Sequence, residues 1–116
     1  MKQSQLNNVK FYIGQNAQEN WKLLEDSANI NPDYIWFHLN SFSSPYVIMY
    51  ATIAELQTTH EPLNQHLQFG AQLCKENSKY KFLKDIKVMY VPIKKLTKTE
   101  MVGEVHISGK AKLLKL

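Results

Sequence analysis

The residues with the most capacity for chemistry lie in one stretch, DYIWFHLNSFSSPYVIMY (33–50), with six aromatic residues, one histidine and three serines. Trp36 and His38 alternate with apolar residues, which in a β-strand places both on one face. Tyr46 and Tyr50 alternate in the same way further along. Aromatic rings stack on unpaired bases, so this face predicts a stacking platform for nucleic acid or, by packing alone, a second small core.

The opposite face of the same strand is purely apolar. Ile35, Phe37 and Leu39 are expected to pack beneath the helices. The connector NSFSSP is short, so strands at residues 34–39 and 46–51 are predicted to pair as an antiparallel hairpin.

The residues that could serve as catalytic groups are limited to this hairpin. An enzyme would have to combine His38 with Ser43, Ser44 or Asp33 as acid–base or nucleophilic groups. No Gly-x-Ser-x-Gly element accompanies the serines. A non-catalytic protein is therefore predicted, with an RNA-processing enzyme as the less favoured alternative.

Metal and redox sites also have little support. Cys74, the single cysteine, excludes an internal disulfide and is predicted to be a packed thiol rather than a nucleophile. His60 and His66 lie six residues apart, which is not the i, i+4 spacing of a helical ligand pair. No metal and no cofactor are expected.

Charge is distributed unequally along the chain, whose net charge is +4. Residues 1–60 have a net charge of −2 and residues 61–116 a net charge of +6, and all fourteen basic residues are lysines. This asymmetry is typical of a protein with a polyanionic partner, RNA first, and equally of a charged surface that only keeps the protein soluble. Lys94, Lys95 and Lys98 are predicted phosphate contacts, although such backbone contacts hardly separate RNA from DNA.

Two helices and several short strands surround these residues. Asn16 is the predicted N-cap of the first helix, with Glu19 completing a capping box. Its apolar stripe is predicted at Ala17, Trp21, Leu24 and Ala28. The second helix begins at Pro62, and its predicted stripe is Leu63, Leu67, Gly70, Ala71 and Cys74.

The order of predicted elements is βα-ββ-α-βββ, which favours an α+β fold with a mostly antiparallel sheet and two helices packed on one face. Residues 1–8 are expected to be a polar N-terminal stub, and residues 9–116 a single domain. The remaining predicted strands are 9–13, 86–91 and a terminal hairpin of 102–108 with 111–116.

Composition also predicts the subcellular location. There is no apolar run of membrane-spanning length, and the polar start MKQSQLNN predicts that no signal peptide is present. A lone cysteine fits a reducing compartment. The cytoplasm is the expected location, with the nucleus as the alternative and no membrane partner.

Two motifs stand in a characteristic order: YIGQNAQENWKLL at the first helix and DYIWFHL at the hairpin, followed by LCKENS, IKVMYVPIKKLTK and VGEVHI. Together they resemble the NFACT RNA-binding domain family, which occurs in ribosome quality-control factors of the NEMF and RqcH type and in the coiled-coil domain-containing protein 25 family. The resemblance runs from about Val9 to the C-terminus. It implies an α+β domain that binds RNA, with tRNA, ribosomal RNA or the large ribosomal subunit as partner.

The family motifs add site residues to those chosen from the strand pattern. Gln15 and Tyr46 depart from the family, which commonly has a basic residue and a histidine there. A protein-interaction adaptor or a DNA-binding protein remains the alternative to an RNA-binding module. The predicted nucleic-acid-binding residues are Gln15, Asn16, Asn20, Trp36, His38, Ser43, Ser44, Tyr46, Lys94, Lys95 and Lys98.

Overall fold

The computed structural model describes residues 1–58 and 62–116, so His60 lies outside the described residues. Within these ranges the chain forms eight strands, three α-helices and a single 3₁₀ turn at Ile93–Lys95. None of the described helices is long and apolar enough to cross a membrane. The elements are β1 (Lys2–Leu6), β2 (Val9–Ile13), α1 (Ala17–Ile30), β3 (Ile35–Leu39), β4 (Val47–Met49), α2 (Ile53–Thr58), α3 (Leu63–Glu76), β5 (Lys87–Pro92), β6 (Leu96–Lys98), β7 (Val105–Ile107) and β8 (Lys112–Lys115).

The strands form a six-stranded sheet in the order β1-β2-β4-β3-β5-β8, and β6 pairs with β7 as a separate two-stranded ribbon. Every described pair of neighbouring strands is antiparallel. The predicted α+β class and the β3–β4 hairpin are therefore confirmed. In the hairpin, Trp36 lies opposite Ile48 and Phe37 opposite Val47.

The helices lie on opposite faces of the sheet, so the prediction that both pack on one face is wrong. Phe37 belongs to the core beneath α2 and α3, together with Leu67 and Ala71. Trp36 belongs to a second core that includes Leu24 of α1. Because consecutive strand residues point to opposite faces, both faces of β3 carry large side chains and both require a cover.

The predicted apolar stripe of α1 is confirmed in part. Leu24 is buried, and Trp21 and Ala28 are half-buried against the same core, whereas Ala17 is exposed. The other buried residues of the helix are Asn20, Leu23 and Ser27. The two polar ones both have partners: Asn20 accepts from the backbone N–H of Tyr46, directly before β4, and Ser27 bonds the Tyr50 hydroxyl at 2.7 Å. Periodicity of apolar residues cannot identify the whole buried face of α1, because part of that face is polar and is stabilised by hydrogen bonds.

The N-terminal segment is a strand rather than the expected polar stub. Lys2–Leu6 pairs along its whole length with β2, through a tight turn in which Asn7 has a positive φ of 54°. As the edge of the sheet, β1 buries little side-chain surface, so its polar composition is compatible with pairing. Its main contribution is to cover the hydrogen-bonding edge of β2.

The predicted C-terminal hairpin does not form. β7 pairs with β6, and β8 crosses to pair with β5, so Gly109 at φ +81° connects two different sheets. The strand β6 and the short helix α2 are additional elements that the sequence pattern missed. Both are too short for periodicity to reveal them.

Helix α3 agrees with its prediction. His66, Leu67, Gly70, Ala71 and Cys74 are its buried residues, and it ends before Asn77 as expected. Gly70 permits close contact with the sheet, since a Cβ atom there would lie 2.5 Å from Cζ of the buried Phe37.

We predict that Gly70→Val destabilises the protein by about 1–3 kcal/mol, because the added carbons overpack against Phe37 in a filled core. Urea unfolding measures the change. Gln68→Val is the matched control, since it places valine at an exposed position of the same helix and should cost less than about 1 kcal/mol. Equal stability of the two variants would contradict close packing at Gly70.

Candidate nucleic-acid interface

One large cavity, of about 1030 Å³, opens where the layers of the fold meet. We call it the central cleft. Its walls are the start of α1, the β3–β4 connection, the turn after α3 and the β6–β7 turn. Eight of the eleven predicted nucleic-acid-binding residues line it: Gln15, Asn16, Asn20, Trp36, His38, Ser43, Ser44 and Tyr46.

The start of α1 forms a rigid wall. The Asn16 side chain accepts a hydrogen bond from the Glu19 backbone at 2.9 Å, and the Glu19 carboxylate accepts one from the Gln15 backbone at 3.1 Å. The predicted N-cap is thus confirmed. The Asn16 carboxamide oxygen is engaged in the fold, whereas the Gln15 side chain is exposed at the cleft wall.

Asn20 and Tyr46 join this wall to β4. The buried Asn20 carboxamide accepts a hydrogen bond from the Tyr46 backbone N–H at 3.1 Å. Gly14 makes room for it, because a Cβ atom at residue 14 would lie 2.0 Å from Asn20 Oδ1. The glycine and the second asparagine of the sequence motif are therefore structural partners.

The Tyr46 side chain connects β4 to the β6–β7 turn. Its hydroxyl donates to the Gly103 carbonyl at 2.6 Å, and burial raises the pKa of Tyr46 to about 12. Gly103 has φ +87° and lies against Ala17, where a Cβ would approach within 2.7 Å of the alanine Cβ. Tyr46 holds the two sides of the cleft together.

Trp36 is a buried support for the cleft rather than an open stacking surface. Only 2% of the residue is exposed. His38 stacks on its ring at a centroid distance of 5.3 Å and an interplanar angle of 13°, and Tyr46 meets it edge-on at 5.4 Å. The packing interpretation holds for Trp36, and its covered ring has no face available to a base.

His38 is half-buried and presents its ring to the cleft as a neutral group. Its Nδ1 lies 2.8 Å from the Leu39 carbonyl oxygen. A carbonyl can only accept, so Nδ1 carries the proton and Nε2 is an acceptor in the neutral ring. Burial lowers the pKa of His38, so at neutral pH it offers a hydrogen-bond acceptor rather than a positive charge.

The serines of the β3–β4 connection differ from each other. The Ser44 hydroxyl accepts from the Leu39 backbone at 3.0 Å, donates to the Pro45 carbonyl at 3.1 Å and lies 3.5 Å from Cys74 Sγ. Ser43 is exposed at the cleft wall. Burial raises the pKa of Cys74 to about 11, so the thiol is protonated at neutral pH and packs as predicted.

The predicted phosphate-binding lysines lie outside the cleft. Lys94 pairs with Asp33 at 2.8 Å, and Lys98 pairs with Glu25 while its ammonium lies 5.0 Å from the Trp21 ring centroid. Lys95 is exposed, and no carboxylate of the described residues pairs with it. The basic segment therefore fastens the 3₁₀ turn and β6 to α1 and its following loop, and Lys95 is the lysine of the three that has no carboxylate partner among the described residues.

Several cleft residues were not among the predicted ones. Lys2 and Lys79 bring positive charge, and the Lys2 ammonium donates to Asn77 Oδ1 at 3.0 Å. Phe42 and Met101 bring exposed apolar surface. Lys79 belongs to the lysine-rich half of the sequence, but only the pairing of β6 with β7 could reveal Met101 at this site.

Comparison with known proteins identifies the family to which the chain belongs. The model of the NFACT protein RNA-binding domain matches residues 2–113, so the chain belongs to this family and a role in RNA binding is supported. The C-terminal part of the fibronectin/fibrinogen-binding protein from Streptococcus suis has a similar fold, at a TM-score of 0.76 and 22% sequence identity. The alignment covers 93% of this chain and 41% of that one. No curated protein matches.

We predict that acid destabilises the protein in part through His38. Its pKa is lower in the folded than in the unfolded chain, where it is near 6.5, so the unfolded state binds the proton more readily. The free energy of unfolding should therefore fall as the pH is lowered below about 6.5. His38→Phe keeps an aromatic ring against Trp36 and should reduce this fall, as measured by urea unfolding between pH 7 and pH 5. Parallel pH profiles would contradict the assignment.

Proposed function

We propose that this chain is a non-catalytic module that binds tRNA or ribosomal RNA through the central cleft. The observation that carries the proposal is the convergence of eight predicted RNA-binding residues on one cleft, in a chain that belongs to an RNA-binding family. These residues come from two segments of the sequence, residues 15–20 at the start of α1 and residues 36–46 of β3 and the β3–β4 connection.

The chemistry of the cleft suits the sugar and base portions of RNA better than its phosphates. Gln15 and Ser43 are exposed polar side chains, and His38 supplies an acceptor at neutral pH. Such groups can hydrogen-bond the edges of unpaired bases and ribose hydroxyls. Phosphates then require cations around the cleft, which Lys2 and Lys79 provide at its wall.

The translational context rests on the resemblance to the RNA-binding domains of NEMF and RqcH. It suggests that the RNA is a tRNA or part of the large ribosomal subunit, encountered in the cytoplasm. The net charge of +6 over residues 61–116 supports a polyanionic partner such as a folded RNA.

We predict that the triple variant Gln15→Ala, Ser43→Ala, His38→Phe binds tRNA at least about tenfold more weakly, because it removes three cleft hydrogen-bonding groups worth about 0.5–1.5 kcal/mol each. Fluorescence anisotropy with labelled total tRNA, and with ribosomal RNA fragments, measures the affinity.

The matched control makes the same chemical changes at exposed positions outside the cleft: Gln57→Ala, Ser108→Ala and His106→Phe. It should bind within about twofold of the unmodified chain. Equal affinity of both triple variants would place RNA outside the cleft. Failure of the unmodified chain to bind either RNA, or preference for duplex DNA, would contradict the proposed function.

We also predict that Lys95→Gln lowers the salt dependence of RNA binding by about 0.7–0.9 in slope, the value of one phosphate contact. Lys94→Gln is the control, because the Lys94 charge is already balanced by Asp33, and its slope should change less. Binding titrations over a range of salt concentrations measure both.

A further inference from the structure

The loop between α3 and β5 carries lysines and an exposed aromatic ring. Residues 79–84, with the sequence KYKFLK, contain three lysines and no acidic residue. Phe82 is 86% exposed, the highest exposure of any large hydrophobic residue in the described part of the chain. An aromatic ring this exposed gains little from packing in the fold, and both its apolar surface and its π system are accessible to a binding partner.

Hydrogen bonds order the backbone of the loop at Phe82. A β-turn closes with the Leu83 N–H donating to the Tyr80 carbonyl at 3.0 Å, which places Lys81 and Phe82 at its two central positions. Below the turn, the Tyr80 N–H donates to the buried Ser78 hydroxyl at 3.1 Å, and that hydroxyl donates to the Lys75 carbonyl at 2.7 Å. The backbone that carries the exposed ring is therefore ordered by hydrogen bonds to the end of α3.

The charges around the ring are available to a partner. Lys79, Lys81 and Lys84 are exposed, and no carboxylate of residues 1–58 or 62–116 forms an ion pair with them. The neighbouring Asp85 turns to Lys115 instead, at 3.8 Å. The Lys81 ammonium lies 5.3 Å from the centroid of the Phe82 ring, so a positive charge accompanies the aromatic surface.

The loop is continuous with the central cleft. Phe42, which lines the cleft, contacts the Tyr80 ring at a centroid distance of 4.6 Å. Ser78 and Lys79 also line the cleft. A chain of nucleotides leaving the cleft on this side meets Lys79 first and then the turn that carries Phe82.

We propose that the 79–84 loop is a second RNA contact, which binds unpaired nucleotides next to those in the central cleft. Phe82 stacks on one base, and Lys79, Lys81 and Lys84 bind the flanking phosphates. This supplies the stacking surface that Trp36, being buried, does not provide. The inference rests on the proposed function, since it concerns the same RNA.

The test separates stacking from charge by using two probes of equal length. One is a uridine RNA of about 12 nucleotides, within the usual range of single-strand sites, and the other is the same backbone without bases. Phe82→Ala should weaken binding of the uridine RNA about tenfold and leave binding of the abasic strand unchanged. Phe82→Tyr, which keeps a ring, should retain the affinity.

Leu83→Ala is the matched apolar control, because Leu83 is exposed in the same turn but has no aromatic face. It should bind the uridine RNA within about twofold of the unmodified chain. The triple variant Lys79→Gln, Lys81→Gln, Lys84→Gln should lower the salt slope by about 2. The same loss of charge at exposed positions elsewhere, Lys10→Gln, Lys110→Gln and Lys112→Gln, should lower it by less than half as much.

Each contrary outcome has a distinct meaning. If Phe82→Ala binds both probes as tightly as the unmodified chain while the cleft variant is weak, the loop inference fails and the proposed function stands. If the unmodified chain binds no RNA, both fail. If Phe82→Ala and Leu83→Ala are equally weak, and both lose binding to phosphatidylserine vesicles, the loop is a membrane contact and the inference is overturned.

Discussion

Strand β3 is enclosed on both of its faces, and this enclosure determines where the helices and the ligand-binding groups can lie. Phe37 requires the cover of α3, which approaches closely because residue 70 is glycine. Trp36, the preceding residue, requires α1 and Tyr46 on the other side. Two adjacent large aromatic residues cannot share a face of a strand. The centre of the sheet is therefore left without an open face, and a ligand must bind where the covering layers end.

The central cleft is that place, and internal hydrogen bonds maintain its shape. Asn20 bonds the backbone of Tyr46, and the Tyr46 hydroxyl bonds the carbonyl of Gly103. The two asparagines of the sequence motif at α1 therefore hydrogen-bond within the fold and have a structural role. The groups left for a ligand are fewer than the motif indicates, with Gln15, His38 and Ser43 the principal ones.

The lysines and aromatic residues also separate into those that are engaged within the fold and those that are available to a ligand. Lys94 and Lys98 neutralise acidic residues near α1, and Trp36 lies inside the core. The cations of the 79–84 loop have no such partners among the described residues, and Phe82 stands beside them in solvent. Pairing and burial therefore decide which residues of a basic, aromatic sequence can meet RNA. Residue type alone does not distinguish them.

Sequence patterns were enough to predict the α+β class, the β3–β4 hairpin, the Asn16 cap and the α3 stripe. These depend on alternation, capping and periodicity, which are local properties of the chain. Sequence patterns could not predict that α1 covers the opposite face, because the buried Asn20 and Ser27 are recognisable only through partners distant in sequence. Nor could they predict that β8 leaves β7 for β5, or that Trp36 is covered while Phe82 is exposed. Those outcomes depend on which surfaces meet in three dimensions, and the residues that form those surfaces are distant from one another in the sequence.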